Sequence, residues 1–242
     1  MRTGLSKGDV MGAEVARRVV RFSEKCCWSD AFGSVGGMDH RVEVAATSYT
    51  VEVGRLYEVV LDLDGLLIDM SPFQSVLEED QPRRWQRFFD RTCDAAAIAR
   101  GVDLVHQLTR LEWGYSISST RPAWGVWQAQ RWLTQRGDIP APRRWYWRRD
   151  ADVDLDPADC KREHFLKARH QPGGRTVATL FVDDERAAVD KLIEMDVPAM
   201  HLDALTGLTD HDMHVLLNYS RKQVFKEAAR RRQAKALLGA GQ

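Results

Sequence analysis

Two aspartates, Asp62 and Asp64, close an apolar run in "LYEVVLDLDGLLID" and stand directly before Gly65. Side chains two apart on an extended chain point the same way. Carboxylates so placed repel, and the proton affinity of one rises unless a cation lies between them. A glycine at the next position lets the chain turn tightly around whatever the acids hold. A second acidic pair, Asp183 and Asp184, follows another apolar run, "TLFV". Four carboxylates with the same strand-end placement make a hard-oxygen set suited to magnesium, which keeps part of its water shell and takes substrate phosphate as a further ligand.

Two more stretches carry groups that bind phosphate. "YSISSTRP" ends a third apolar run in hydroxyls, and Ser119 and Thr120 at that point can donate, with backbone N–H groups, to phosphoryl oxygens. Lys161, in "DPADCKREHF", follows an Asp/Pro-rich turn at a helix start and can neutralise a second oxygen.

The elements that must position these residues follow from the alternation beyond Tyr57. Short apolar runs ("VVLDLD", "YSISS", "RRWYW", "TVATLFVDD", "AMHL") alternate with helical stretches ("AAAIARGVDLVHQLTRLE", "AWGVWQAQRWLTQRG", "CKREHFLKARH", "AAVDKLIEMDV"). Runs that are apolar on both faces, separated by helices, predict an α/β fold: a doubly wound parallel sheet that binds ligands beyond the carboxyl ends of its strands. The expected layout is an N-terminal extension over 1–54, a core over 55–208 with a small helical insert at about 70–105, and a basic C-terminal helix over 209–242. Within the extension a helix is expected from Ala13 to Lys25 and a hairpin in "RVEVAATSYTVEV". From Arg221 onward seven Lys or Arg stand against Glu227 alone.

With 242 residues, 44% of them apolar, the chain can bury a sizeable core. Lys plus Arg and Asp plus Glu balance at 35 each, so no global field draws the protein to polyanions or membranes. Any nucleic-acid contact must be local, and "RRWQRFFDR" and "RRWYWRR" interleave arginine with aromatics as single-strand binders do. The same spacing also fits core aromatics flanked by solvated arginines. Cys26, Cys27, Cys93 and Cys160 form no CxxC, which suits a reducing, cytoplasmic setting, and no run of ~18 apolar residues predicts a membrane span. His211 and His214 have no assured third ligand and Cys26-Cys27 has no neighbouring base, so neither pair reads as a site.

Taken in order, these stretches resemble the haloacid dehalogenase (HAD) superfamily of phosphotransferases. "VVLDLDG" matches its first motif, Ser119 its second, Lys161 its third and "LFVDD" its fourth, between about Tyr57 and Leu202; Leu66 stands where the family has Thr or Val. Within the superfamily the chain is most similar to the 3′-phosphatase domains of bacteriophage polynucleotide kinases. That likeness rests on Arg121-Pro122, on "WLTQRGDIPAPRRWYWRRDAD" with its Arg-x-x-Asp passage beginning at Arg149, and on Lys161 soon after.

The resemblance implies a magnesium-dependent phosphatase acting on nucleic-acid 3′-phosphate ends in repair. Asp62 would be the nucleophile and Asp64 the general acid and base. Magnesium would sit on Asp62, the Asp64 backbone carbonyl and one or both of Asp183 and Asp184. Ser119, Thr120 and Lys161 would grip the phosphoryl group, with Arg121 and Arg149 on the substrate. No GxxxxGK[ST] stretch occurs, so a kinase or ligase would be a separate partner. The other readings are a phosphatase of a nucleotide or sugar phosphate, and a nucleic-acid-binding protein that has lost the reaction.

Overall fold

The computed structural model describes residues 56–152, 154–170 and 176–239. The helix and hairpin expected within 1–54 lie outside the described residues. Among the described residues seven strands follow one another as β1 (Leu56–Asp62), β2 (Ile68–Asp69), β3 (Ala96–Ala97), β4 (Gly114–Pro122), β5 (Trp145–Arg148), β6 (Thr176–Asp183) and β7 (Ala199–His201). The helices are α1 (Ser75–Glu78), α2 (Arg84–Asp90), α3 (Ala99–Arg110), α4 (Ala123–Arg136), α5 (Pro157–Arg169), α6 (Arg186–Glu194) and α7 (Asp210–Gly239).

Five strands form one sheet in the order β5-β4-β1-β6-β7, with every pairing parallel. This is the doubly wound α/β arrangement. The sheet's first strand, β1, lies at its centre; the chain winds from it outward to β4 and β5, then returns across β1 to β6 and β7. The direction of winding therefore reverses at β1, the point where open parallel sheets leave a crevice beyond their carboxyl ends. Asp62 pairs in register with Ser118, and Leu61 with Val182, so the ends of β1, β4 and β6 come level and put Asp62, Ser119 and Asp183 at one edge.

Local sequence explains the elements that matter for that edge. After β1, Gly65 adopts φ +78 and donates to the Ile68 carbonyl, folding the chain back into β2. A short helical insert, α1 and α2 with flanking 3₁₀ turns, then stands on the antiparallel β2–β3 pair. α4 buries Gly125, Val126, Ala129, Trp132 and Leu133 at helical spacing and ends at Gly137, whose φ of 64 suits the left-handed C-terminal position. α5 is capped by Asp156, whose side chain accepts from the Ala158 N–H at 2.9 Å, with Pro157 in the first turn. That cap sets the start of the helix, and with it the place of Lys161 one turn further on. α5 and α6 supply Phe165, Ala168, Val189 and Leu192 to a core shared with Val60, Ala178 and Phe181. No helix among the described residues is long and apolar enough to cross a membrane.

Under α5 lies a buried polar contact: His164 Nδ1 is 2.9 Å from the Ser118 hydroxyl, and its Nε2 is 3.6 Å from Cys160 Sγ. Burial disfavours the charged imidazolium and depresses the His164 pKa from 6.5 to about 4. Between those values only the unfolded chain takes up this proton. Stability is therefore expected to fall as the pH drops from 6.5 toward 4, by about 3 kcal/mol from this group at full effect. Denaturation midpoints between neutral and mildly acid pH should fall more steeply for the wild type than for His164→Gln. Parallel curves would contradict the assignment.

Candidate active site

Three carboxylates converge at the sheet edge. Asp62, Asp183 and Asp184 each offer an oxygen, and those oxygens lie within 4.8 Å of one another. Asp62 and Asp183 are buried and Asp184 is half-buried. Lys161 reaches up from α5: its Nζ donates to Asp183 Oδ2 at 2.7 Å and lies 3.4 Å from Asp62 Oδ2. Burial alone would depress the ammonium, but Asp62 and Asp183 outweigh it and raise its pKa, so Lys161 stays charged. The Asp62 carboxyl is pushed well above its usual range, first by burial and then by Asp183, Asp64 and Asp184, with Lys161 opposing. Asp184 is raised by burial and by Asp183. Three carboxylates against one ammonium leave a formal excess of two negative charges in a site largely closed to water. All-oxygen donors of this charge and spacing fit a small, hard divalent cation.

Asp64 stands apart from that cluster. Its carboxylate is gripped bidentately by Arg121, whose Nε donates to Oδ2 at 2.9 Å and Nη2 to Oδ1 at 2.5 Å. The Asp64 side chain keeps 35% of its surface exposed while Arg121 keeps 1%. The guanidinium is fixed from the insert side as well: Nη1 donates to the Thr92 hydroxyl at 2.8 Å, and the Phe89 ring lies 4.6 Å beneath it. Two aspartates two residues apart are thus given different surroundings. Asp62 lies among carboxylates and an ammonium, Asp64 against a planar fork that leaves part of it open to solvent.

The remaining expected residues divide into those at the edge and those beside it. Ser119 is buried at the end of β4, its hydroxyl accepting from the Arg121 N–H at 3.2 Å, and Thr120 beside it is half-buried. Arg149, just past β5, is bidentate to Asp152 at 2.5 and 2.8 Å and 3.9 Å from Glu163, with its own side chain 58% exposed. It engages those acids and not the carboxylate cluster. His211 and His214 are exposed.

Several contributors had no signal at short range in the chain. Thr92 and Phe89 reach Arg121 from the insert. His201 Nε2 donates to the Asp184 carbonyl at 2.6 Å while its Nδ1 accepts from the Asp203 N–H, which pins the backbone carrying Asp184. Gly65 lies so close to Asp184 that a Cβ there would fall 2.0 Å from its Oδ2. The only residue that fits is one without a side chain, so the glycine serves the approach to Asp184 as well as the turn. In "RRWQRFFDR" the two readings split: Phe88 and Phe89 are core, whereas Trp85 is 52% exposed.

No protein-family model matches the chain, and no curated protein does either. Among solved structures the chain is similar to one in the Pnkp1/Rnl/Hen1 complex, at 16% identity over 72% of this chain and 55% of that one, with a TM-score of 0.46. It is also similar to the class C acid phosphatase from Bacillus anthracis with tungstate bound, at 19% identity over 54% of this chain and 52% of that one, TM-score 0.39. A HAD-superfamily hydrolase from Ehrlichia chaffeensis aligns at 10% identity over 67% of this chain and 96% of its own, TM-score 0.38. The chain spans little more than half the length of the first two. Likenesses of this degree say nothing about activity, which must be read from the side chains.

Proposed function

We propose that the protein is a magnesium-dependent phosphatase that hydrolyses phosphomonoesters through an aspartyl-phosphate on Asp62, with nucleic-acid 3′-phosphate ends as substrate. The observation that carries the reading is the different treatment of Asp62 and Asp64: one held among acids and Lys161, the other clamped by Arg121 with an open flank. The motif order that resembles the HAD superfamily supports it.

Asp62, Asp183 and Asp184 would hold magnesium, which when bound supplies positive charge that keeps Asp62 ionised and offsets the charge of the transferring phosphoryl group. An Asp62 oxygen attacks phosphorus and the ester P–O bond breaks. Asp64 gives a proton, carried on the flank that Arg121 leaves open, to the departing oxygen. Water then attacks the phosphorus of the Asp62 acyl phosphate, Asp64 takes up its proton, and inorganic phosphate leaves with the Asp62 carboxylate restored. Lys161 and the hydroxyls of Ser119 and Thr120 bind the phosphoryl oxygens, where preorganised donors contribute most. The insert contributes helices of only four and seven residues, which leaves room for a polymer end.

The test is magnesium-dependent phosphate release from an oligonucleotide 3′-phosphate, a 5′-phosphate, a nucleoside monophosphate and an aryl phosphate. Preference for the 3′-phosphate is expected. Preference for the monophosphate would replace the substrate assignment with a small molecule, and silence on all four would overturn the reaction.

A further inference from the structure

An aromatic surface adjoins the Arg121–Asp64 pair and takes no part in the chemistry above. α4 buries one face, and its opposite face presents Trp124, 46% exposed, then Trp127, 60% exposed, and Arg131, whose guanidinium lies 5.8 Å over the Trp127 ring. Residues three and four apart share a helix face, so these three side chains are neighbours. From the insert, Trp85 is 52% exposed. Both helices meet on Phe89, whose ring lies 5.9 Å from that of Trp85 and 5.6 Å from that of Trp124. Gly125 makes this meeting possible, since a Cβ there would approach Phe89 at 3.0 Å. Phe89 in turn supports the guanidinium that holds Asp64. Trp85 and Trp124 therefore connect through Phe89 and Arg121 to the proposed acid and base, and Trp127 follows Trp124 along the same helix face.

Three large indoles open to water on adjoining helices form an exposed apolar surface of the kind that marks an interaction site. The charge beside them indicates the sign of the occupant. Glu78, Glu79, Asp80, Asp94 and Asp138 flank these helices, yet among the described residues Arg83 and Arg84 at the start of α2 and Arg131 on α4 are left without a carboxylate partner. Arg87 pairs with Glu79, Arg91 with Asp94 and Arg136 with Asp138, while Arg131 lies over Trp127. Flat apolar rings alternating with arginine bind bases by stacking and phosphates by charge, with little regard to sequence.

We infer that Trp85, Trp124 and Trp127 form a stacking platform for the bases of a single strand whose terminal phosphate enters at Asp62. The inference rests on the phosphatase reading for its direction, since the strand must lead toward the carboxylates. It commits to an unpaired strand, whose exposed base faces can lie on the indoles, and not to a duplex end.

Two readouts separate its failure from that of the reading beneath it. In the first, kcat/KM is measured on a single-stranded oligonucleotide 3′-phosphate and on an aryl phosphate, which has no second base to stack. Trp127→Ala and Trp85→Ala should each lower the ratio of the two by ~10-fold or more, through KM, and Trp→Phe should restore much of it. In the second, a labelled oligothymidylate of about eight nucleotides with a 3′-hydroxyl is bound by the wild type, and Trp85→Ala/Trp127→Ala weakens it ~10-fold or more. An unchanged ratio with unchanged binding overturns the platform while leaving the phosphatase standing. Loss of a concentration-dependent dimer in the double variant, with strand binding unaffected, also overturns it, because a second copy would then be the occupant. Binding that depends on the tryptophans without any turnover upholds the platform and removes the reaction.

Discussion

Asp62→Asn is expected to lower phosphate release by about 10⁴-fold or more while leaving the fold at least as stable as the wild type. The loss follows from the proposed role, because an amide can neither attack phosphorus nor hold magnesium as an anion. The retained stability follows from the charge balance at the sheet edge. Asp62 is buried among Asp64, Asp183 and Asp184, and only Lys161 opposes their repulsion. The amide removes one of those charges, and Lys161 keeps its 2.7 Å hydrogen bond to Asp183. A residue placed for chemistry at a cost to the fold behaves in this way, and thermal melting of the variant checks it. A marked fall in stability would mean that Asp62 serves the structure.

Arg121→Lys should do the opposite and harm both properties. The guanidinium is 1% exposed and meets both oxygens of Asp64, the Thr92 hydroxyl and the Phe89 ring at once. An ammonium cannot supply that planar fork, and the substitution leaves buried acceptors and a gap under Phe89. A loss of about 3 kcal/mol of stability is expected, at the lower end for a broken buried pair because Asp64 keeps an open flank. With its proton carrier no longer held, kcat should fall by about 10²-fold or more. Denaturant unfolding and steady-state kinetics read the two effects. A rise in KM alone, with stability unchanged, would instead mark Arg121 as a substrate contact, the role the resemblance implies.

The carboxylates were legible in the chain because an acid directly after a buried apolar run must emerge at the end of a strand. "VVLDLD" and "TLFVDD" meet that condition, and parallel pairing brings such ends level. Lys161 was legible through the Asp156-Pro157 start of α5, which sets the helix phase. The destination of the Arg121 side chain was not. It depends on Thr92 and Phe89, which come from an insert whose packing no local pattern encodes. The same holds for "RRWQRFFDR", where Trp85 and Phe89 lie one helical turn apart, as neighbours on one face do. What makes Phe89 core and leaves Trp85 open is the seat of α2 against Gly125 of α4, a contact between distant parts of the chain. The separation of Asp64 from the other three acids was hidden for the same reason, since Arg121 draws it away.

The central claim is that Asp62 carries the phosphoryl group and Asp64 moves the proton, and Asp64→Asn tests it most directly. An aryl phosphate has a leaving group that departs without a proton, so attack by Asp62 should proceed in this variant. Hydrolysis of the acyl phosphate then lacks its base. Rapid mixing with magnesium and the aryl phosphate should release a burst of phenol equal to the enzyme present, with phosphate recovered on the acid-quenched peptide that carries Asp62. Turnover with no burst and no phosphoryl group on that peptide would show that water attacks the substrate directly and would contradict the account.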